Sequence, residues 1–136
     1  MDLIERIACL ERSDLFAFVE AECLARAATA LEEESVPAAR TIYEPDEPAD
    51  FLYVLCEGSP VRLRLGELSC VVAPGQCFGY EEVLSEGERR HWARAEGSCL
   101  LLKLDATQAR KLLAEDPGLA RGAIRALLAR QLAPAP

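Results

Sequence analysis

Between Val36 and Leu104 the chain never holds one direction for long, and this cadence constrains the fold more than any other feature. Pro37, Pro45 and Pro48 exclude helix at its start, and Gly66-Glu67 and Ala73-Pro74-Gly75 supply turns inside it. Phe51 to Cys56 is a short apolar run bounded by turn residues, which reads as a buried strand. Val61, Leu63 and Leu65 alternate with Arg62 and Arg64, and the return run Leu68 to Val72 completes a hairpin in which the two arginines face solvent. Cys77-Phe78, His91 to Ala95 and Cys99 to Leu104 are further short strands. Short strands at this spacing predict a sandwich or barrel.

Both flanks carry helical periodicity. Leu3, Ile4, Ile7 and Leu10 recur at three and four, and Leu15, Val19, Cys23, Ala27 and Leu31 recur at four, with Asp14 as the expected N-cap and Glu32-Glu33-Glu34 as an exposed helix end. Asp105 is the expected N-cap of a helix carrying Ala109, Leu112 and Leu113, which Asp116-Pro117-Gly118 stops before a last amphipathic helix. The expectation is one mainly β domain with flanking helices (α+β): N-terminal helices at 1–33, an antiparallel β-roll of about eight strands at 34–104, C-terminal helices at 105–132, and a linker-like tail at 133–136. A roll of this kind offers a ligand site at its mouth, a cupin-like metal site, or a docking surface. In the last helix Ile124, Leu127, Leu128 and Leu132 form an apolar stripe that suits a homodimer.

Composition narrows the partners. The 136 residues carry 15 Lys and Arg against 23 Asp and Glu, a net charge of −8 that lacks the basic footprint of nucleic-acid or anionic-membrane binding. No apolar run approaches the ~20 residues of a membrane span. The six cysteines show no metal-knuckle spacing, and with no secretory leader in view they are expected to be reduced thiols in a cytoplasmic protein. One histidine, His91, is too few for a cupin metal site or for a Ser/His/Asp set, so no catalysis and no cofactor are expected.

The stretch Pro48-Ala-Asp-Phe-Leu-Tyr-Val-Leu-Cys-Glu-Gly58 resembles the cyclic nucleotide-binding domain family, whose members carry a similar P-A-D-x-L-Y-V-x-x-x-G segment. The resemblance continues through Val61-Arg-Leu, Ala73-Pro-Gly-Gln-Cys-Phe-Gly79, Arg89 ten residues after that glycine, Arg94-Ala95 and Leu102-Lys-Leu-Asp105, and spans about Leu15 to Leu132. It implies an eight-stranded, jelly-roll-like β-roll with a phosphate-binding cassette, here 78–95. In such a cassette a short helix offers backbone N–H groups to the cyclic phosphate, an arginine clamps it, and a glutamate takes the ribose 2′-hydroxyl. By this resemblance Phe78, Gly79, Tyr80, Glu81, Arg89, Arg90 and Trp92 form the ligand site, for cAMP, cGMP or a related small anion; the residues themselves equally allow Arg89 to be the ion-pair partner of Glu88, Glu86 or Glu82 on a solvated loop.

The match departs where the chemistry sits. Tyr80 stands at the glutamate position, Glu88 where proline is common, His91 where a small residue is common, and Trp92 where threonine is frequent. Losing the ribose carboxylate costs ~1.5–3 kcal/mol, roughly ten- to a hundredfold in affinity. Tyr80 could border the sugar or plug its pocket, and a Tyr80→Glu change is then expected to raise nucleotide affinity. Asp46-Glu47 replaces a G-D turn, and a residue is inserted at Ser59-Pro60. Two functions follow: a sensor that signals through the C-terminal helices to an effector domain, or a docking module that binds no nucleotide.

Overall fold

The computed structural model describes residues 1–132; the tail at 133–136 lies outside the described residues, as does the side chain of Leu132. The elements run α1 (Leu3–Glu11), α2 (Ala21–Ala30), β1 (Glu32–Val36), β2 (Thr41–Tyr43), β3 (Phe51–Gly58), β4 (Val61–Leu65), β5 (Leu68–Val72), β6 (Cys77–Phe78), α3 (Tyr80–Leu84), β7 (Trp92–Ala95), β8 (Cys99–Asp105), α4 (Ala106–Glu115) and α5 (Pro117–Leu132). The strands form two four-stranded antiparallel sheets, ordered β1-β8-β3-β6 and β2-β7-β4-β5, which close over each other as the expected roll.

Strand parity separates two cores. Along β3 the even positions Leu52 and Val54 join Leu102 and Leu104 of β8 against the helices, while Tyr53 and Leu55 point into the roll with Val61, Phe78, Ala93 and Leu101. The first sheet is therefore covered on both faces, which explains the unbroken apolar run at 51–56. Each fully buried Leu or Val in this layer contributes roughly 1.5–3 kcal/mol. The β4–β5 hairpin pairs Leu65 with Leu68 around the Gly66-Glu67 turn, and Arg62 and Arg64 lie exposed on its outer face. Gly58 ends β3 at φ +104°, and a Cβ there would stand 2.6 Å from the Ser98 carbonyl oxygen, so only glycine lets β3 pass β8 so closely.

The N-terminal reading needs three corrections. The periodic stretch 15–31 is not one helix: residues 12–19 form turns, and α2 begins only at Ala21, capped by the backbone of Glu20. Asp14 is spent elsewhere, its carboxylate accepting from the Cys77 N–H at 2.9 Å and so tying this segment to the roll. Glu32-Glu33-Glu34 does not end a helix but forms edge strand β1, in register with Leu101 to Lys103, and the charges blunt that edge. At the other end Asp105 caps α4 through Gln108 N–H at 3.0 Å, as expected. Asp116 caps α5 through Leu119 N–H and also holds Arg26 of α2.

The expectation of six free thiols also fails. Cys9 of α1 and Cys56 on the helix-facing side of β3 form a disulfide, with Cα atoms 6.2 Å apart. The two lie 47 residues apart, so composition and spacing could not pair them. Cys23, Cys77 and Cys99 are buried, and burial pushes their thiols above the ordinary cysteine value; Cys70 is exposed.

Candidate phosphate-binding site

The site is built around Gly79 and Arg89, ten residues apart in sequence and in contact in space. Gly79 caps α3 in the left-handed region at φ +74°, and a Cβ on it would stand 2.9 Å from Arg89 Nη1. Glycine serves here twice, permitting the turn and admitting the guanidinium. Arg89 is 2% exposed; its Nη1 donates to the Gly79 carbonyl at 2.6 Å and its Nη2 to the Phe51 carbonyl. The Tyr43 ring lies under the guanidinium, 4.0 Å from Cζ. The backbone of Arg89 is fixed as well, its N–H donating to Glu47 and its carbonyl accepting from Asp46, both at 2.8 Å. Asp46 adopts φ +71° to make this turn, so the position still uses the left-handed backbone that a glycine would accept freely.

Facing Arg89 is a carboxylate. Glu82 is 2% exposed, and its Oε1 lies 3.9 Å from Arg89 Nη1 and 3.7 Å from His91 Nδ1. Both gaps exceed hydrogen-bond length, and among the described residues Glu82 Oε1 accepts and Arg89 Nε donates no hydrogen bond. The other face of the imidazole meets Tyr43, whose hydroxyl shares a 2.6 Å hydrogen bond with Nε2. Burial holds the Tyr43 phenol well above the usual tyrosine value and pushes that of Tyr53 up to about 12. Both phenols are neutral at physiological pH.

The structure brings together Phe78, Gly79 and Arg89 from the expected set. Phe78 is buried inside the roll, stacked on Tyr53 with centroids 5.0 Å apart, where it supports the cassette. Tyr80 is elsewhere: its ring is 5% exposed and belongs to the helix-side core, and its hydroxyl accepts from Arg130 of α5. Tyr80 thus neither borders nor plugs the space beside Arg89. Burial pushes its phenol to about 12. Trp92 is also misplaced by the sequence reading. It alternates with the inward Ala93 and Ala95, so it projects from the outer face of β7 beside Arg64, 44% exposed. There it lines a cavity of about 650 Å³ with Arg62, Arg64, Arg94 and Glu96.

Glu81 and Arg90 are exposed on the cassette's solvent side. They line a cavity of about 660 Å³ that reaches Arg89 and also presents Asp46, Glu82 and Glu88, four carboxylates against two guanidiniums. At the roll's mouth Leu63, Leu65, Leu68, Cys70 and His91 line a smaller, mostly apolar cavity of about 260 Å³. The residues missed as neighbours of the arginine were Tyr43 and His91, while Glu82, read as its partner on a solvated loop, is instead buried beside it. The available signal was helical phase: two residues turn a helix by about 200°, so a Tyr80 facing the helices puts Glu82 on the opposite face of α3.

Comparison with known proteins agrees with this geometry. A model of the cyclic nucleotide-binding domain matches residues 33–116. A Rhodopseudomonas palustris protein named "Putative potassium channel protein" is 28% identical over 124 residues, covering 88% of this chain and 30% of its own length, so the chain spans less than a third of that relative. Among solved structures, the catabolite activator protein of Thermus thermophilus is 30% identical, with a TM-score of 0.71 over 88% of this chain and 58% of that one. The regulatory domain of Toxoplasma gondii PKA, crystallised with cAMP, shares the fold at 20% identity and a TM-score of 0.70, over 81% of this chain and 44% of that one. With its two-sheet roll, its flanking helices, and an arginine seated against the cassette glycine, the chain belongs to the cyclic nucleotide-binding domain family.

Proposed function

We propose that this domain is a non-catalytic regulatory module that takes a purine cyclic monophosphate, cAMP or cGMP, or a related small anion weakly beside Arg89, and signals through α4 and α5 to an effector outside this chain. The observation that carries the reading is the state of Arg89. Its guanidinium is buried and pre-oriented by two backbone carbonyls and an aromatic ring, yet among the described residues it uses two of its five N–H donors. It lines the polar cavity, and His91, two residues on, lines an apolar one, a pairing that suits a ligand with an anionic end and a planar apolar end. The family and the resemblance to a regulatory domain crystallised with cAMP support the ligand class. The relative named for a potassium channel supports an effector carried elsewhere.

The second reading, a docking module that binds no nucleotide, is favoured by the carboxylates lining the polar cavity and by the exposed Ile124 and Leu128 of α5, at 58% and 55%. Those two side chains also suit a homodimer contact, with Leu127 half-buried against the core. Titration calorimetry with cAMP and cGMP at millimolar concentration separates the two. Measurable heat that Arg89→Ala abolishes supports the sensor. No heat and no thermal shift with either nucleotide would leave the docking module.

A further inference from the structure

The geometry points to Glu82 as a built-in counter-ion of Arg89, one that holds the electrostatic place of a ligand phosphate and must be moved aside before an anion can bind. This rests on Arg89 being the anion site of the proposed function. Three observations carry it. First, Glu82 reaches the guanidinium from the face of α3 opposite Tyr80, because the helix turns by about 200° between positions 80 and 82 and Tyr80 is fixed among the helices. Second, both side chains are at most 3% exposed, so the pair is little screened and a charge change on either member is strongly felt by the other. Third, the contact is coulombic without being locked: at 3.9 Å and 3.7 Å the carboxylate makes no hydrogen bond to Arg89 or His91, and Oε1 remains unpartnered among the described residues.

These features set the charge balance of the site. Arg89 with Glu82 sums to zero, so a cyclic phosphate entering beside both would bring a net negative charge into a buried place. With Glu82 neutral or displaced, the same phosphate would meet one uncompensated guanidinium. The other charged and titratable groups near the pair are His91 on the segment after Arg89, Tyr43 on β2, and Arg90, Glu81, Glu88 and Asp46 around the polar cavity; the exposed Arg90 faces three carboxylates there besides Glu82 and leaves no surplus positive charge. A carboxylate held this way acts as an affinity threshold, admitting an anion only when its other contacts repay the displacement.

The test compares the whole chain with Glu82→Gln and with Glu86→Gln, a control that removes an exposed charge just past α3 that pairs with Arg110 and lies outside the polar cavity. Cyclic AMP is titrated into each by calorimetry. Glu82→Gln is expected to tighten binding at least tenfold and Glu86→Gln to change it less than threefold. Equal affinity in Glu82→Gln and the unaltered protein would overturn the counter-ion role while leaving the anion site standing, and so would equal tightening in both variants. Weaker binding by Glu82→Gln would instead make Glu82 an acceptor for the ligand. No heat in any of the three would remove the anion site and this inference with it. Should Glu82→Gln not fold, NMR of the unaltered protein gives the same decision: the Glu82 Cδ resonance moves with Arg89 Nε on adding cAMP if the pair is separated, and an unmoved Glu82 refutes the displacement.

Discussion

Replacing Tyr80 by glutamate would restore the family's ribose carboxylate at its usual sequence position, and the sequence alone predicts a gain in nucleotide affinity. The structure puts that carboxylate in the helix-side core, where it destabilises the fold. The Tyr80 ring is 5% exposed in the helix-side core with Cys77 and Val83, and removing a buried aromatic ring costs ~3–5 kcal/mol. Glutamate keeps some of the aliphatic contact but brings a carboxylate that must be desolvated, at ~1–3 kcal/mol if left unpaired. Arg130, half exposed and already against the phenol, would recover part of this. The expected net loss is about 3 kcal/mol, or roughly 10 °C in melting temperature for a domain of this size. Urea unfolding followed by far-UV circular dichroism reads it directly. Tyr80→Phe is the companion: it keeps the ring, loses only the bond to a partly exposed Arg130, and should cost no more than about 1 kcal/mol. An unchanged urea midpoint for Tyr80→Glu together with newly measurable cAMP binding would refute the reasoning, since it would mean that position 80 opens into the pocket.

Asp46→Gly should stabilise by about 0.5–1 kcal/mol, because Asp46 holds φ +71° without a side-chain bond in that turn that glycine would lose; a lowered urea midpoint would count against it. Reducing the Cys9–Cys56 disulfide frees a 47-residue loop and should lower stability by about 4 kcal/mol on the chain-entropy account, read as a drop in melting temperature with dithiothreitol that a Cys9→Ser/Cys56→Ser variant lacks. Asp116 gives a pH dependence. The hydrogen bond from Arg26, with help from Leu119 N–H, holds its carboxyl below the ordinary aspartate value. A group depressed in the folded state stabilises above its unfolded pKa and loses that stabilisation as pH falls through the folded one, so stability should decline below about pH 4 by more than in Asp116→Asn. Parallel pH profiles for the two proteins would remove this contribution.

How far the sequence could be read depended on which physical rule each residue obeys locally. The β4–β5 hairpin was legible because alternation and a Gly66 turn act within a dozen residues, and α4 because Asp105 satisfies Gln108 three residues on. The 12–19 turns were not, because Leu15 and Val19 keep a helical spacing while packing as turn residues on the core, and the Asp14 carboxylate instead accepts from the Cys77 N–H, 63 residues away. Trp92 was legible as a strand residue, yet its face depended on whether Ala93 or Trp92 looks inward. Ala93 and Ala95, both 0% exposed, fill the tight interior that a Trp side chain would overfill. Arg89 and Gly79 were legible together only through the family resemblance. Their ten-residue spacing has no periodic meaning, and it is the 2.9 Å approach of the guanidinium to an absent Cβ that explains it physically.

The five-residue helix α3 connects these observations. It is the partition between the two cores, with Tyr80 and Val83 on the helix side and Glu82 on the Arg89 side, so each substitution in it acts on one side only. A carboxylate at position 80 in the present backbone would be desolvated among apolar groups, whereas at position 82 it lies against a guanidinium that supports its charge. The carboxylate beside Arg89 thus sits two residues and about half a turn past position 80, which holds a phenol that contacts α5 through Arg130. One rigid turn therefore touches the arginine at one end and the last helix at the other. Moving Glu82 away from Arg89 by rotating α3 necessarily strains the Tyr80–Arg130 contact, whereas moving it by a side-chain rotamer alone does not, and that difference decides whether a change at the site reaches α5.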